Sequence, residues 1–524
     1  MSDFPYLTAA ILLPLLGAVA LMALPRRTGR DLPQLVALVV SLATLALTAV
    51  MAVRFDPGAG FQFNEQHTWI AAFGAHYAVG VDGIGLTLVM LTTILTPAVI
   101  GASWRDGDQG RWSANSFFAW VLVLEGFAIG VFAATDVFLF YVLFEATLLP
   151  VYFLIGGFGG PRRSYAAIKF LLYSLLGGLV MLASVIGLYV ESARAGAPTY
   201  LLSELSEVMA DVDTSTGRWL FLGFFVAFAI KAPMVPVHTW LPDVADEATP
   251  GTSVLLVSIL DKIGTFGMIR FCLGLFPEAS TWATPVVLVL AVVSVLYGAL
   301  VAIGQDSIPR LIAYTSVSHF GFIVLGIFVL NSQGQTGSTL YMFNHGLSTG
   351  LLFLVSGFLI ARRGSRYISD FGGVQKVAPV LAGILLVAGL SSLSLPGLSP
   401  FVSEFLVMLG AFLHHYLYAV FAVFGIVLSA LYILLMYQRT MTGPVRPGIE
   451  GMRDLGVREV ASLAPLLALL IGLGFFPRPL LDVIEPAVAS TLEHVGAEDP
   501  GPTIEEAGSG TGSGTGSDET GGDE

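Results

Sequence analysis

The chain has 524 residues, of which 55% are hydrophobic and only 12% charged, with a mean hydropathy of +0.81. A water-soluble domain of this length could not cover its surface with so few charges, so the composition excludes soluble classes and leaves an all-α polytopic membrane protein. The net charge of -13 owes much to the tail, where eight acids lie between Glu498 and Glu524, and a lone cysteine, Cys272, excludes disulfides and cysteine-held zinc or iron-sulfur clusters.

In chain order, the first apolar run (5–25) follows an acidic residue and precedes basic ones, unlike a cleavable signal peptide, and reads as a retained first span. Runs of spanning length follow at 33–53, 81–103, 114–133, 135–157, 165–190, 218–237, 252–274, 282–303, 308–330, 337–361, 378–413, 416–438 and 457–476, which makes about fourteen spans. Beyond Gly496 the composition is Gly, Ser, Thr and acid, too poor in apolar surface to fold, and predicts a disordered tail. The chain thus divides into spans 1–3 (residues 1–110), spans 4–8 (111–275), spans 9–13 (276–440), the region of span 14 (441–496) and the acidic tail (497–524).

Basic residues set the orientation. Sixteen Lys and Arg residues, from Arg26, Arg27 and Arg30 to Arg458, fall after odd-numbered spans, against Arg54, Arg194, Arg218, Arg478 and at most Arg270 on the other side. This bias predicts an even number of spans with both termini outside the cytoplasm. Three basic residues are left over, Lys169, Lys231 and Lys262, and the protein has only four lysines. A charge at the bilayer centre costs a few kcal/mol and usually faces a bundle interior on an ion or proton path. Lysine suits a proton relay because burial and neighbouring charges can bring it toward releasing its proton, whereas arginine stays protonated.

Acidic partners occupy similar places: Glu145 in FYVLFEATLLPVYFLIGG and Glu404 in LSLPGLSPFVSEFLVMLG. A structural ion pair, or snorkelling to the interface, is the alternative for each, above all for Lys169, which lies close to Arg162 and Arg163. Pro233 and Pro236 follow Lys231, and Pro396, Gly397 and Pro400 precede Glu404, so spans 7 and 12 should both be broken. Spans 4–8 and 9–13 number five each, so the two halves are expected to form inverted repeats with their breaks at the same rank. His238, His319 and His345 fall along the same interior and are either relay groups or satisfied core histidines. No HExxH, P-loop or dinucleotide-binding GxGxxG occurs, so no metal, ATP or NADH site is predicted in this chain.

The runs KAPMVPVHTWLPD, SILDKIGTFGMIRF, LIAYTSVSHFGF and LPGLSPFVSEF together resemble the antiporter-like membrane subunits of respiratory complex I, NADH-quinone oxidoreductase, over nearly the whole chain up to about Pro477. The resemblance implies an ion pair of Glu145 and Lys231, a connection inward through Lys262, a central axis lined by His319 and His345, and an exchanging group at Glu404. It also implies a role for Lys169. The glutamate at 404 stands where sister subunits of the L and N type usually have lysine, and those sisters would be the neighbours within a bacterial cytoplasmic membrane. FMN, iron-sulfur clusters and quinone are expected in other subunits, with no cofactor in this chain and no nucleic-acid partner. Two stretches depart from the family: Pro242, Asp243, Val244 and Ala245 replace PDAH, and of a common Asp-x-Lys-Arg start to span 10 only Arg310 carries over. The competing expectations are a subunit of a multisubunit cation/proton antiporter, or a passive structural segment of the membrane arm.

Overall fold

The computed structural model describes residues 4–25, 31–108 and 110–499; Arg26, Arg27, Arg30 and nearly all of the predicted acidic tail lie outside the described residues. Helices α1 (Tyr6–Ala23) and α2 (Leu32–Arg54) lead into an antiparallel hairpin of β1 (Gln62–Ile70) and β2 (Ala75–Val81), then α3 (Gly83–Ala102) and α4 (Ala114–Ala133). α5 (Val137–Ala146) and α6 (Leu148–Phe158) meet at Thr147 and form one span, followed by α7 (Arg163–Arg194) and the short α8 (Leu202–Ala210). α9 (Thr214–Lys231) stops at its lysine and α10 (Trp240–Glu247) resumes beyond the two prolines. α11 (Pro250–Val254) and α12 (Asp261–Gly267) share one span with π-helical turns at Leu255–Leu260 and Met268–Leu273. α13 (Pro277–Ile303), α14 (Ile308–Phe328) and α15 (Ser332–Arg363) precede the broken pair α16 (Pro379–Ser392) and α17 (Ser399–His414), and α18 (Tyr416–Met441), α19 (Val457–Phe475) and α20 (Arg478–Val495) complete the chain.

Twelve helices among the described residues are long and apolar enough to cross a membrane. The two other expected spans correspond to α9, which ends in a charge, and to α16 with α17, each too short to span alone. Two elements were not anticipated. The hairpin lies between the second and third expected spans, and its strands are too short and too polar to register as a span; Gly74, at φ +65°, closes it. α20 is too polar to span, but buries Ile484, Val488 and Leu492 at a spacing of one helical turn, so it lies along the bundle on one apolar stripe.

Composition sorts helices between interior and lipid. The span Pro250–Leu273 is buried throughout from Gly251 to Ile269, and α15 from Gly334 to Leu359; α15 is rich in Gly, Ser and Thr, which permit close helix packing. α7, α13 and α18 turn Leu172, Leu176, Val286, Val289, Phe424 and Val427 outward, where acyl chains solvate them. Both breaks follow from backbone chemistry. Proline removes a helical donor, and the freed groups find side chains. Trp240 Nε1 donates to the Ile230 carbonyl at 3.0 Å, and Asn344 Nδ2 donates to the Ser399 carbonyl at 2.9 Å. Gly397, at φ +94°, makes the turn between α16 and α17 that a residue with a Cβ would strain.

Candidate functional site

Buried charges sit where these breaks end. Lys231, the last residue of α9, is 1% exposed, and its ammonium lies over the rings of Phe144 and Phe170 at 5.2 and 5.7 Å with no hydrogen-bond partner on Nζ. Glu145 occupies the end of α5, two residues before Thr147, and presses against Gly178 of α7, where a Cβ would collide with the carboxylate. Its Oε1 also lacks a partner, so Glu145 and Lys231 attract one another without a direct hydrogen bond. A cation over aromatic faces keeps part of the stabilisation it would have from water.

Further inward the groups touch. Lys262 is completely buried; its Nζ donates to the Val257 carbonyl at 2.7 Å and lies 2.7 Å from His345 Nδ1. Val257 belongs to the π-helical turn, whose altered register frees that carbonyl to accept from the lysine. The His345 and His319 rings are 5.2 Å apart between centroids, and a small cavity at this gap is lined by both histidines with Tyr341, Ser348, Thr349 and Ser391. His319 Nδ1 then meets the Tyr341 hydroxyl at 2.6 Å, and that hydroxyl donates to Glu404 Oε1 at 2.8 Å.

A phenol has one proton to donate. With that proton directed to Glu404, His319 Nδ1 must be the donor to the phenol oxygen. Reversing both bonds, with a protonated Glu404 donating to Tyr341 and Tyr341 to His319, describes the same atoms after one proton has moved. The arrangement is thus able to pass a proton in either direction between α14 and α17 through α15, and all three of its side chains are buried.

The structure brings Lys262, His345, His319 and Glu404 into one series of contacts, and Lys231 and Glu145 lie outside it. It separates the two remaining sequence candidates. Lys169 pairs with Asp243 Oδ2 at 2.6 Å while Arg310 holds Oδ1 at 2.6 Å, so the lysine belongs to an ion cluster that ties α7, α10 and α14 together. Asp243 and Arg310, which the two departing stretches retain from the family pattern, meet in that cluster. His238 is buried with neither ring nitrogen partnered, its ring against Tyr297 and Tyr314. Sequence reasoning missed Tyr341, Glu125 and Asp261, the last two fully buried carboxylates without partners. The rule applied to lysines in apolar runs would have found both acids; nothing in the sequence marks Tyr341 among the tyrosines.

Residues 134–429 match the model of the NADH:quinone oxidoreductase/Mrp antiporter transmembrane family. NADH-quinone oxidoreductase subunit M of Mycobacterium tuberculosis (strain ATCC 25618 / H37Rv) is 51% identical over 539 residues, 96% of this chain and 97% of the relative. The chain belongs to the subunit M family of NADH-quinone oxidoreductase. A chain of respiratory complex I from Thermus thermophilus with bound NADH superposes with a TM-score of 0.84 at 31% identity, covering 94% of this chain and 100% of that one. The Mrp complex from Dietzia sp. DQ12-45-1b contains a chain of the same fold, with a TM-score of 0.83 at 22% identity over 94% of this chain and 100% of that one. Subunit M proteins are multi-pass, antiporter-like membrane subunits, in agreement with the spans described above.

Proposed function

We propose that protons cross the membrane arm of an NADH-quinone oxidoreductase along Glu145, Lys231, Lys262, His345, His319, Tyr341 and Glu404 of this chain. The observation that carries this reading is the buried run of short contacts from Lys262 through the histidines and Tyr341 to Glu404. Electron transfer belongs to other subunits, which hold FMN, iron-sulfur clusters and quinone. Quinone reduction there alters the pairing of Glu145 with Lys231; as the pair opens or closes, the affinity of the lysine for its proton changes, and protons move from Lys262 toward Glu404.

Lys169 and Asp243 lie at the end of the bundle where basic loops predominate, which suits a role at the cytoplasmic mouth of the path, with His238 beside it. The two halves, spans 4–8 and 9–13, act as inverted five-helix repeats with their broken spans 7 and 12 at the same rank. The chain sits in a bacterial cytoplasmic membrane with both termini on the outer side, flanked by L-type and N-type sister subunits. Its greater similarity to complex I than to the Mrp complex favours redox-driven pumping over cation exchange.

The test uses Glu145→Gln and Lys231→Ala in the assembled complex in inverted membrane vesicles. Both variants are expected to assemble and to lose quinone reduction together with NADH-driven proton uptake. Near-normal uptake in both would overturn the relay and leave the charges a structural role.

A further inference from the structure

The path has a gap between Lys231, at the end of α9, and Lys262, on α12. No hydrogen bond from Lys231 Nζ leads anywhere, and Lys262 Nζ is turned toward α15 by its contact with His345. Asp261 lies between them. It is completely buried, and neither carboxylate oxygen has a hydrogen-bond partner. An unpartnered carboxylate inside a membrane bundle is costly and requires a reason.

Its direction is set by helix geometry. Successive residues of a helix point about 100° apart, so Asp261 cannot share the face that Lys262 presents to His345. Gly264, three residues on and so on the neighbouring face, packs onto the end of α9: a Cβ there would stand 2.6 Å from both the Phe228 carbonyl oxygen and the Ala232 nitrogen. Asp261 therefore faces the end of α9 that carries Lys231. The charges that act on it are Lys262 on its own helix and Lys231 on α9. α4, also packed against α12, contributes Glu125; α3 carries no titratable residue between Gly83 and Ala102; the adjoining π-helical turn carries Arg270, which is committed to Asp82 at 2.6 Å.

A structural counterion would touch its cation. Asp261 makes no hydrogen bond with either lysine, and Lys262 already engages a backbone carbonyl and a histidine. We propose that Asp261 is the proton carrier between Lys231 and Lys262, joining the first half of the path to the central axis. This rests on the relay described under Proposed function. In the step, the Lys231 ammonium gives one proton to the Asp261 carboxylate, leaving a neutral amine and a carboxylic acid. The acid then gives that proton to the neutral amine of Lys262, and the carboxylate is regenerated. Rotation of the flexible lysine stems brings each nitrogen to the carboxylate in turn.

The experiment compares Asp261→Asn, Asp261→Glu and Asp261→Leu with Lys231→Ala in the assembled complex, measuring assembly, NADH-driven proton uptake and its pH profile. Asp261→Asn and Asp261→Leu are expected to assemble and to lower proton uptake by about tenfold or more, as for loss of a proton-transfer group. Asp261→Glu is expected to restore uptake with a displaced pH profile, which a space-filling role would not produce. Asparagine at wild-type rate and unchanged pH profile, with Lys231→Ala inactive, would overturn the role of Asp261 and leave the relay standing. Wild-type uptake in Lys231→Ala as well would remove the relay itself. Failure of all three Asp261 variants to assemble would make the residue a structural counterion and overturn the proposal.

Discussion

Tyr341→Phe is the sharpest probe of the wire. The substitution keeps the ring against Phe322 and His345 and removes one oxygen, which is the hydrogen-bond partner of His319 at 2.6 Å and of Glu404 at 2.8 Å. Each lost bond costs about 1 kcal/mol net, rising to roughly 3 kcal/mol where a charged group is stranded. The total of about 2–4 kcal/mol is below the ~5–15 kcal/mol that holds an ordinary domain together, so assembly should survive. What remains is His319 Nδ1 at 3.9 Å from Glu404 Oε1, beyond hydrogen-bond length. If the same energy falls on the transfer step, that step slows by about 30-fold to 1,000-fold, since ~1.4 kcal/mol is tenfold in rate. Proton uptake by inverted vesicles, quinone reduction and native-gel assembly should be measured together, with Tyr341→Phe predicted to assemble and to pump poorly. Wild-type uptake in the assembled variant would refute a route through the phenol.

Two further outcomes are expected. Gly264→Ala places a methyl 2.6 Å from two backbone atoms, the Phe228 carbonyl oxygen of α9 and the nitrogen of Ala232 just beyond it, which cannot swing aside as a side chain could, so α9 and α12 must separate at a cost of about 1–3 kcal/mol or more, read as reduced assembly and thermal stability. Asp454 accepts from the backbone amides of Val380 and Leu381 at 2.8 and 2.9 Å and so caps α16, the first half of the broken span. Asp454→Ala should cost about 1 kcal/mol, read as a lower melting temperature of the detergent-solubilised complex. Burial alone would raise this carboxyl, but the amides of Val380, Leu381 and Leu455 hold it below its ordinary value. Its contribution is therefore complete above about pH 5 and is lost as pH falls through the lowered folded value, so the variant should differ from wild type at neutral pH and converge with it in acid.

Much of the architecture was legible from the sequence because insertion into a bilayer depends on local properties. The length of an apolar run, a proline beside a charge and a loop rich in arginine keep their meaning without tertiary contacts, which is why the spans and the breaks at Lys231 and Glu404 could be placed in advance. Lys262, His319, His345 and Glu404 stood out for the same reason: a polar side chain in an apolar run is conspicuous wherever it points. The hairpin and α20 escaped because neither carries a spanning signal.

Contact was decided by the tertiary structure. Whether Lys169 relays or anchors depends on Asp243, 74 positions away in the chain, and whether Tyr341 is filler or wire depends on reaching His319 and Glu404 from two other helices. Asp261 and Lys262 are adjacent in the chain, yet the helical twist sends one toward α9 and the other toward α15. Composition and periodicity determined that this protein holds charges within a membrane interior; the crossing of its helices determined which of those charges meet at the distance proton transfer requires, because distance is a property of packing.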